Sequence, residues 1–545
     1  MNQINKYINK GAEFVENNHK LVFFIILIIA ILINIYKFGE IPNEIHVDEA
    51  GMTYDAYSIA NYGVDRFEKQ NPVYFINFGG GQNALYTYLT AFLIKIFGHY
   101  NSIIIRIPAL VISIIEVVVA YLLVKEFKSK KQALLFMFLV TISPWHIMKS
   151  RWGLESYLLS PLFLFSIYGL IKAIKSNKLR LLKFAISGLL FGITLYTYAI
   201  SYIVLPVFLL LVTAYLLYIK KIHVKDAIAF SIPLLILAIP LILVQMVQKG
   251  WINEIDSFIT IPKLFEYRTD ELKFDINNVL SLQYGLFCDY LGYNSIKGYG
   301  VLYYFGTLAM LIGIIITIIK ILNKTIIKNK GKTHNLKEIS NKEAKRNKWK
   351  NRKEQNISLD VIMIITFISN LIIGFVTHIN ENVLNGILIS ATYFELVALR
   401  EIYKKQQFIF SIVLAVYIIS LAMFLKTYFT DFQNDYKRFH DNGAIDVINY
   451  VYKRFDNKDI YMDDKYNTYI YSLYVNPISP HEFNQNKEIK ENEVAGYKNY
   501  HAYWNDEYDE NSVYITKDEN KAKRIIENTK STLEIYKGFY IIYKI

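Results

Sequence analysis

Apolar residues along this chain gather into long unbroken runs, separated by short segments where Lys, Asn and Tyr collect. A helix needs roughly 20 apolar residues to cross about 30 Å of hydrocarbon. Runs of that order recur near 21–37, 103–124, 132–144, 157–174, 183–198, 200–219, 227–246, 300–322, 359–377, 383–400 and 407–426. The pattern predicts an α-helical polytopic membrane protein with about eleven spans. Past residue 427 it changes. Short strand-like runs such as Asp459-Ile-Tyr-Met and Gly538-Phe-Tyr-Ile-Ile-Tyr alternate with helical periodicity in 443–452 and 520–528. This predicts a membrane domain over 1–427 followed by a small α/β domain over 428–545.

The first connection, residues 38–102, is the most structured. Asp48 is placed to cap a helix running to Tyr62, with Gly63 at its C-terminal turn, and Asn83 to Phe97 forms a second helical pattern. Gly79-Gly80-Gly81 between them is expected to be a flexible turn: no Gly-Lys-Ser/Thr follows to make a phosphate loop.

Composition agrees with the membrane reading, since 53% of residues are hydrophobic and mean hydropathy is +0.23. The net charge of +13 lies largely in loops, so it does not argue for nucleic acid. The basic loops at 125–131, 172–183, 220–225, 320–353 and 400–405 share one side if each run crosses once, and that side is cytoplasmic. The N-terminus is then inside, while the Asp48 loop, the Trp145 loop, the 247–299 loop and the tail face outward across the plasma (inner) membrane. Residues 323–357 are expected to be a solvated cytoplasmic linker. The first run lacks a small-residue cleavage site and is read as a retained span. A lone Cys288 excludes an intramolecular disulfide and is assigned no role.

Chemistry concentrates in the outer loops. His46-Val47-Asp48-Glu49 places two adjacent carboxylates just past a membrane exit, where charge is costly and usually functional. One carboxylate there suits a general base, although a helix cap accounts for the same residues. Arg106 stands where the chain re-enters the membrane, and Arg151 lies in the loop that also holds Trp145, His146, Lys149 and Glu155. Either guanidinium suits a phosphate through paired hydrogen bonds; snorkelling toward headgroups and an interfacial aromatic-basic belt are the plainer alternatives. Tyr54, Tyr57, Tyr196 and Tyr198 suit stacking on sugars or packing between helices. His46 and His146 are metal-ligand types, but from separate loops they give no ligand spacing, so no cofactor is implied and a divalent metal stays open.

These residues resemble the integral-membrane glycosyltransferases of the GT-C class, in the family that includes protein O-mannosyltransferases and the aminoarabinose transferase of lipid A. The resemblance rests on His46-x-Asp48-Glu49, the Gly79-Gly-Gly-Gln-Asn-Ala-Leu-Tyr-x-Tyr-Leu passage, Arg106-Ile-Pro-Ala, Ser143-Pro-Trp-His with Ser150-Arg151-x-Gly-x-Glu155, and Gly192-x-x-x-Tyr196-x-Tyr198. It implies inverting transfer from a polyprenyl-phosphate sugar to an acceptor hydroxyl of a protein, glycan or envelope lipid. Asp48 would be the base, with Glu49 orienting it or contacting the acceptor. Arg106, and less directly Arg151, would bind donor phosphate; His46, Tyr54, His146, Glu155 and Tyr198 would contact substrate. Asn380 and Asn385 resemble a late outer-loop motif that lacks here the arginines expected beside it, and the tail shows neither the repeated sugar-binding modules of eukaryotic O-mannosyltransferases nor a segment matching the lipid A enzyme. The competing class is a lipid or solute transporter, which would use ionisable residues at mid-membrane in broken helices rather than in outer loops.

Overall fold

The computed structural model describes residues 2–77, 80–265, 274–287, 296, 298–333, 356–432, 443–455, 457–463, 469–490, 493–502 and 508–544. Gly79, Cys288 and most of the 323–357 linker lie outside the described residues.

Each of the eleven apolar runs carries a helix. In chain order these are α2 (His19–Ile35), α5 (Ser102–Lys125), α6 (Lys130–Ile142), α8 (Leu159–Lys175), α9 (Arg180–Leu195), α10 (Ser201–Tyr218), α11 (Val224–Gln248), α14 (Tyr304–Thr333), α15 (Leu359–Leu371), α16 (Leu388–Lys405) and α17 (Gln407–Phe429). An N-terminal helix not anticipated from the pattern, α1 (Asn2–Asn17), meets α2 at a 93° bend. Among the described residues six helices are long and apolar enough to cross a membrane, and the bent α1–α2 pair makes a seventh if it is one span. α6 falls short on length, with 13 residues, and α16 spans 18 residues but carries Glu395, Arg400, Glu401, Lys404 and Lys405. The chain is thus a polytopic membrane protein. Lipid tails offer no hydrophobic drive for helix association, so small residues and close contacts hold the bundle. At Gly188 of α9 a Cβ would lie 1.9 Å from the Phe230 carbonyl oxygen of α11, so only glycine admits that approach.

The connection between α2 and α5 folds as α3 (Val47–Tyr62), an antiparallel hairpin of β1 (Tyr74–Asn77) and β2 (Gly80–Asn83), and α4 (Ala84–Phe97). The glycines at 80 and 81 are therefore strand residues, not a flexible turn. At Gly81 a Cβ would meet the Tyr74 ring at 1.9 Å, so the bare backbone lets that aromatic lie flat across the hairpin. The connection between α6 and α8 contains α7 (Pro144–Lys149) and a 3-10 turn over Glu155–Leu158, and two short helices, α12 (Ile276–Leu280) and α13 (Leu282–Leu286), lie ahead of α14.

The tail builds a seven-stranded sheet from β3 (Ile460–Met462), β4 (Lys487–Lys490), β5 (Glu493–Tyr497), β6 (Tyr500–His501), β7 (Val513–Thr516), β8 (Thr532–Tyr536) and β9 (Phe539–Tyr543), in the order β4-β5-β6-β3-β7-β9-β8. β3 pairs parallel with β6 and β7, and the outer pairs are antiparallel. Four helices accompany it: α18 (Ala444–Arg454), α19 (Tyr469–Val475), α20 (Pro480–Asn486) and α21 (Glu519–Thr529). The apolar core beneath this sheet includes Val447, Ile470 and Val513, and it continues into Ile45, Ala50 and Tyr54 of the α2–α5 connection and Ile105 of α5. The tail thereby fixes α3 in place.

Candidate active site

The first turn of α3 organises the site. His46 is its N-cap: Asp48 N donates to His46 Nδ1 at 3.0 Å, and His46 N donates to Glu49 Oε2 at 3.1 Å, a reciprocal capping box. The cap expected of Asp48 thus belongs to His46, because the helix starts at Val47 and Asp48 sits within its first turn. Burial drives the His46 pKa down to about 4 despite the Glu49 charge, so its ring is neutral and its Nδ1 accepts from Asp48 N. Asp48, released from capping, keeps a side chain that is 43% exposed.

Glu49 is fully enclosed. Arg106 Nε and Nη2 donate to its Oε1 and Oε2 at 2.9 and 3.0 Å, and Gly153 N donates to Oε1 at 2.6 Å. Burial works against its charge, but the Arg106 guanidinium and the Gly153 and His46 N–H groups outweigh it and hold the carboxyl below its usual range. Arg106 completes its fork on the carbonyls of Pro42 and Glu44, each at 2.8 Å. Arg151 is similarly occupied: it donates to the carbonyls of Asn34, Tyr36 and Lys37 at 2.8, 2.6 and 2.8 Å, at the C-terminal end of α2, and its guanidinium lies 5.0 Å from the Phe429 ring centre. A cation there complements the negative end of the helix dipole. Both arginines expected at a phosphate are buried and face protein oxygens.

Two further candidates also point elsewhere. His146 Nδ1 lies 3.0 Å from Glu116 Oε2, in a buried cluster where Lys149 Nζ and Ser160 Oγ donate to Glu116 Oε1 at 2.9 and 2.6 Å. The whole Trp145–Arg151 segment is buried, which removes the interfacial-belt reading. Tyr54 donates its hydroxyl to the Ile478 carbonyl at 3.0 Å and packs on the tail.

Asp48, Glu155 and Tyr198 are the candidates that share a cavity, of about 670 Å³. Its head is polar, formed by Asp48, Asn77, Gln82, Glu155, Ser156 and Asn382. The rest of its lining is mostly apolar, with Leu195, Ile200, Ile203 and Pro206 joined by Ala238, Leu241 and Ile242 of α11, and Gln245 beside these last three. Asn83 N donates to Glu155 Oε2, and the Tyr202 hydroxyl donates to Asn83 Oδ1 at 2.5 Å, so the start of α4 locks the Glu155 carboxyl to the cavity wall. No lysine or arginine is among the described residues lining it. Among the described residues no group of three or more His, Cys, Asp and Glu side chains is placed to hold a metal.

Sequence reasoning missed Asn77, Gln82, Tyr202 and Asn382. Gln82 stood inside a passage already singled out, and Asn382 lies between Asn380 and Asn385, ahead of α16. Asn380 Oδ1 instead accepts from Val383 N at 2.9 Å, while Asn385 bridges Trp145 Nε1, at 2.9 Å, to the Ser156 carbonyl.

Residues 83–247 match the family model for dolichyl-phosphate-mannose-protein mannosyltransferase. No curated protein matches the chain. Among solved structures, it is similar to ArnT from Cupriavidus metallidurans bound to undecaprenyl phosphate, with TM-score 0.55 and 8% identity over 96% of this chain and 97% of that one. The apo state of the same protein gives TM-score 0.52 and 9% identity over the same shares. The oligosaccharyltransferase of Archaeoglobus fulgidus in complex with Zn and sulfate aligns with TM-score 0.47 and 12% identity over 83% of this chain, which spans 61% of that protein's length. In fold over nearly its whole length, and in family over residues 83–247, the chain resembles the GT-C class of integral-membrane glycosyltransferases.

Proposed function

We propose that this protein is a glycosyltransferase that moves a sugar, with inversion, from a polyprenyl-phosphate donor to an acceptor hydroxyl on the extracytoplasmic face of the membrane. The observation that carries the reading is the division of labour between adjacent carboxylates: Glu49 is consumed by Arg106, while Asp48 reaches a cavity with a polar head and an otherwise mostly apolar lining. Such a cavity suits a lipid whose head reacts and whose tail stays in hydrocarbon.

In this reading the acceptor hydroxyl passes its proton to the Asp48 carboxylate as its oxygen bonds to the anomeric carbon. The bond from that carbon to the phosphate oxygen breaks on the opposite side, and its electron pair leaves with the lipid phosphate. Glu155 and Tyr198 contact the substrate. Glu49, Arg106 and Arg151 act through α3 and the chain before it, keeping Asp48 in place, and His46 supports the same turn by capping it. Pre-positioned reactants contribute much of the rate, since one is already confined to the bilayer. In this reading the N-terminus lies inside and the tail outside, which the distribution of the basic loops supports.

The test is consumption of polyprenyl-phosphate sugars by the purified protein in lipid discs, supplied with envelope extract as acceptor. Transfer that Asp48→Asn abolishes is expected. Transfer undiminished in that variant, or none from any lipid-linked sugar, overturns the reading.

A further inference from the structure

A second cavity, of about 450 Å³, lies within the tail and shares no lining residue with the one that holds Asp48. It opens between the C-terminal half of α18, the segment that follows α19 and the turn joining β5 to β6. Tyr452 and Tyr497 line it with their hydroxyls held on the buried Ser472 Oγ, at 2.8 and 2.7 Å, so both rings are fixed before any ligand arrives. Val475 and Ile478 complete the apolar part. Around it stand the carboxamides of Asn449, Asn457, Asn476 and Asn499 and the ammonium groups of Lys453 and Lys498. Among the described lining residues there is no carboxylate. Lys498 pairs at 2.9 Å with Glu482, which does not line the cavity, and Lys453 forms no ion pair among the described residues.

We propose that this cavity is a docking site for an acidic glycan, a short saccharide segment bearing a carboxylate or a phosphate, separate from the cavity of Asp48. Each carboxamide sets a donor beside an acceptor, the pairing that neighbouring sugar hydroxyls need. The fixed tyrosine rings offer apolar surface to a sugar face. Two ammonium groups with no carboxylate between them attract an acid and discriminate against a neutral chain. The volume lies in the range of small-ligand pockets and admits a short oligosaccharide. The wall that includes Val475 and Ile478 also offers the Tyr474 and Ile478 carbonyls to Tyr100 and Tyr54, so a glycan docked here is held by the segment that anchors α3.

The experiment measures equilibrium binding to the full-length protein in discs of zwitterionic lipid, with four probes: maltotriose, maltotriose carrying one phosphate, trigalacturonate and triglutamate. At least one of the two acidic saccharides is expected to bind about tenfold tighter than maltotriose and than triglutamate, and the tighter of them shows which acid the site takes. Lys453→Gln combined with Lys498→Gln is expected to weaken that probe about tenfold. Lys523→Gln combined with Lys530→Gln, at tail positions that do not line the cavity, should leave it unchanged. Asn476→Asp, which sets a carboxylate in the cavity, is expected to weaken it by a similar factor of about ten. Maltotriose or triglutamate bound as tightly as the acidic saccharides overturns the inference, and so do equal losses from the two lysine pairs. Failure of both acidic saccharides to bind the parent protein overturns it as well. Asp48→Asn should bind them like the parent protein, so this result stands or falls apart from the transfer reaction.

Discussion

Glu49 and Arg106 form a two-point ion pair, at 2.9 and 3.0 Å, with both side chains fully buried. Breaking such a pair by removing one partner leaves an uncompensated buried charge, at a cost of about 3–5 kcal/mol. Glu49→Ala and Arg106→Ala are each expected to lower the thermal unfolding temperature in detergent by a similar amount. The double variant should lose less than the sum of the two, because the second substitution removes the orphaned charge. A stable Arg106→Ala protein whose only defect is weak donor binding would return this arginine to the phosphate.

Asp48→Asn keeps the backbone N–H that donates to His46 Nδ1, so the cap survives the change. Thermal stability should stay within about 0.5 kcal/mol of the parent, as for substitutions outside buried networks. The transfer rate should fall by about 10² to 10⁴, the range for losing a general base. Single-turnover assays at saturating donor would show the loss in the chemical step and not in donor affinity.

How much of this was legible beforehand depended on the kind of signal. The eleven helices follow from apolar run length, which is a local property. The Asp48 loop was marked by charge at a membrane exit, also local. What each charged side chain touches is not local: Arg106 meets Glu49 across 57 positions, and Arg151 finds its carbonyls at the end of α2, more than a hundred positions away. Both arginines carry the chemistry of a phosphate site, and only the fold decides that backbone carbonyls take it up. Gln82 and Asn77 were passed over because neutral amides give no charge anomaly. The N-cap was misplaced by two residues because histidine, an uncommon cap, offers its Nδ1 where Asp48 looked the stronger acceptor.

His46 supplies a pH dependence with a definite sign. Its folded pKa is about 4 against an ordinary 6.5, so between these values the unfolded chain binds a proton that the folded one refuses. Stability is therefore complete above pH 6.5 and declines as pH falls toward 4, by roughly 3 kcal/mol in all. His46→Asn places an amide oxygen where Nδ1 accepts and removes the titration. Thermal unfolding from pH 7 to 4.5 should show a shallower decline for that variant than for the parent protein, and equal slopes would exclude His46 as the source.

Tyr54, in α3, and Tyr100, in the link between α4 and α5, donate their hydroxyls to the Ile478 and Tyr474 carbonyls of the tail at 3.0 and 2.6 Å. The tail thus holds α3 and the link that follows α4. Removing one hydroxyl leaves a carbonyl without that donor, at a cost of about 1 kcal/mol. Tyr54→Phe and Tyr100→Phe together are expected to add nearly independently, since each bonds a different carbonyl. Limited proteolysis should then release the tail several-fold faster, and transfer should weaken although neither tyrosine touches the cavity. A double variant with unchanged proteolysis and unchanged transfer would mean that the tail does not steady the Asp48 helix.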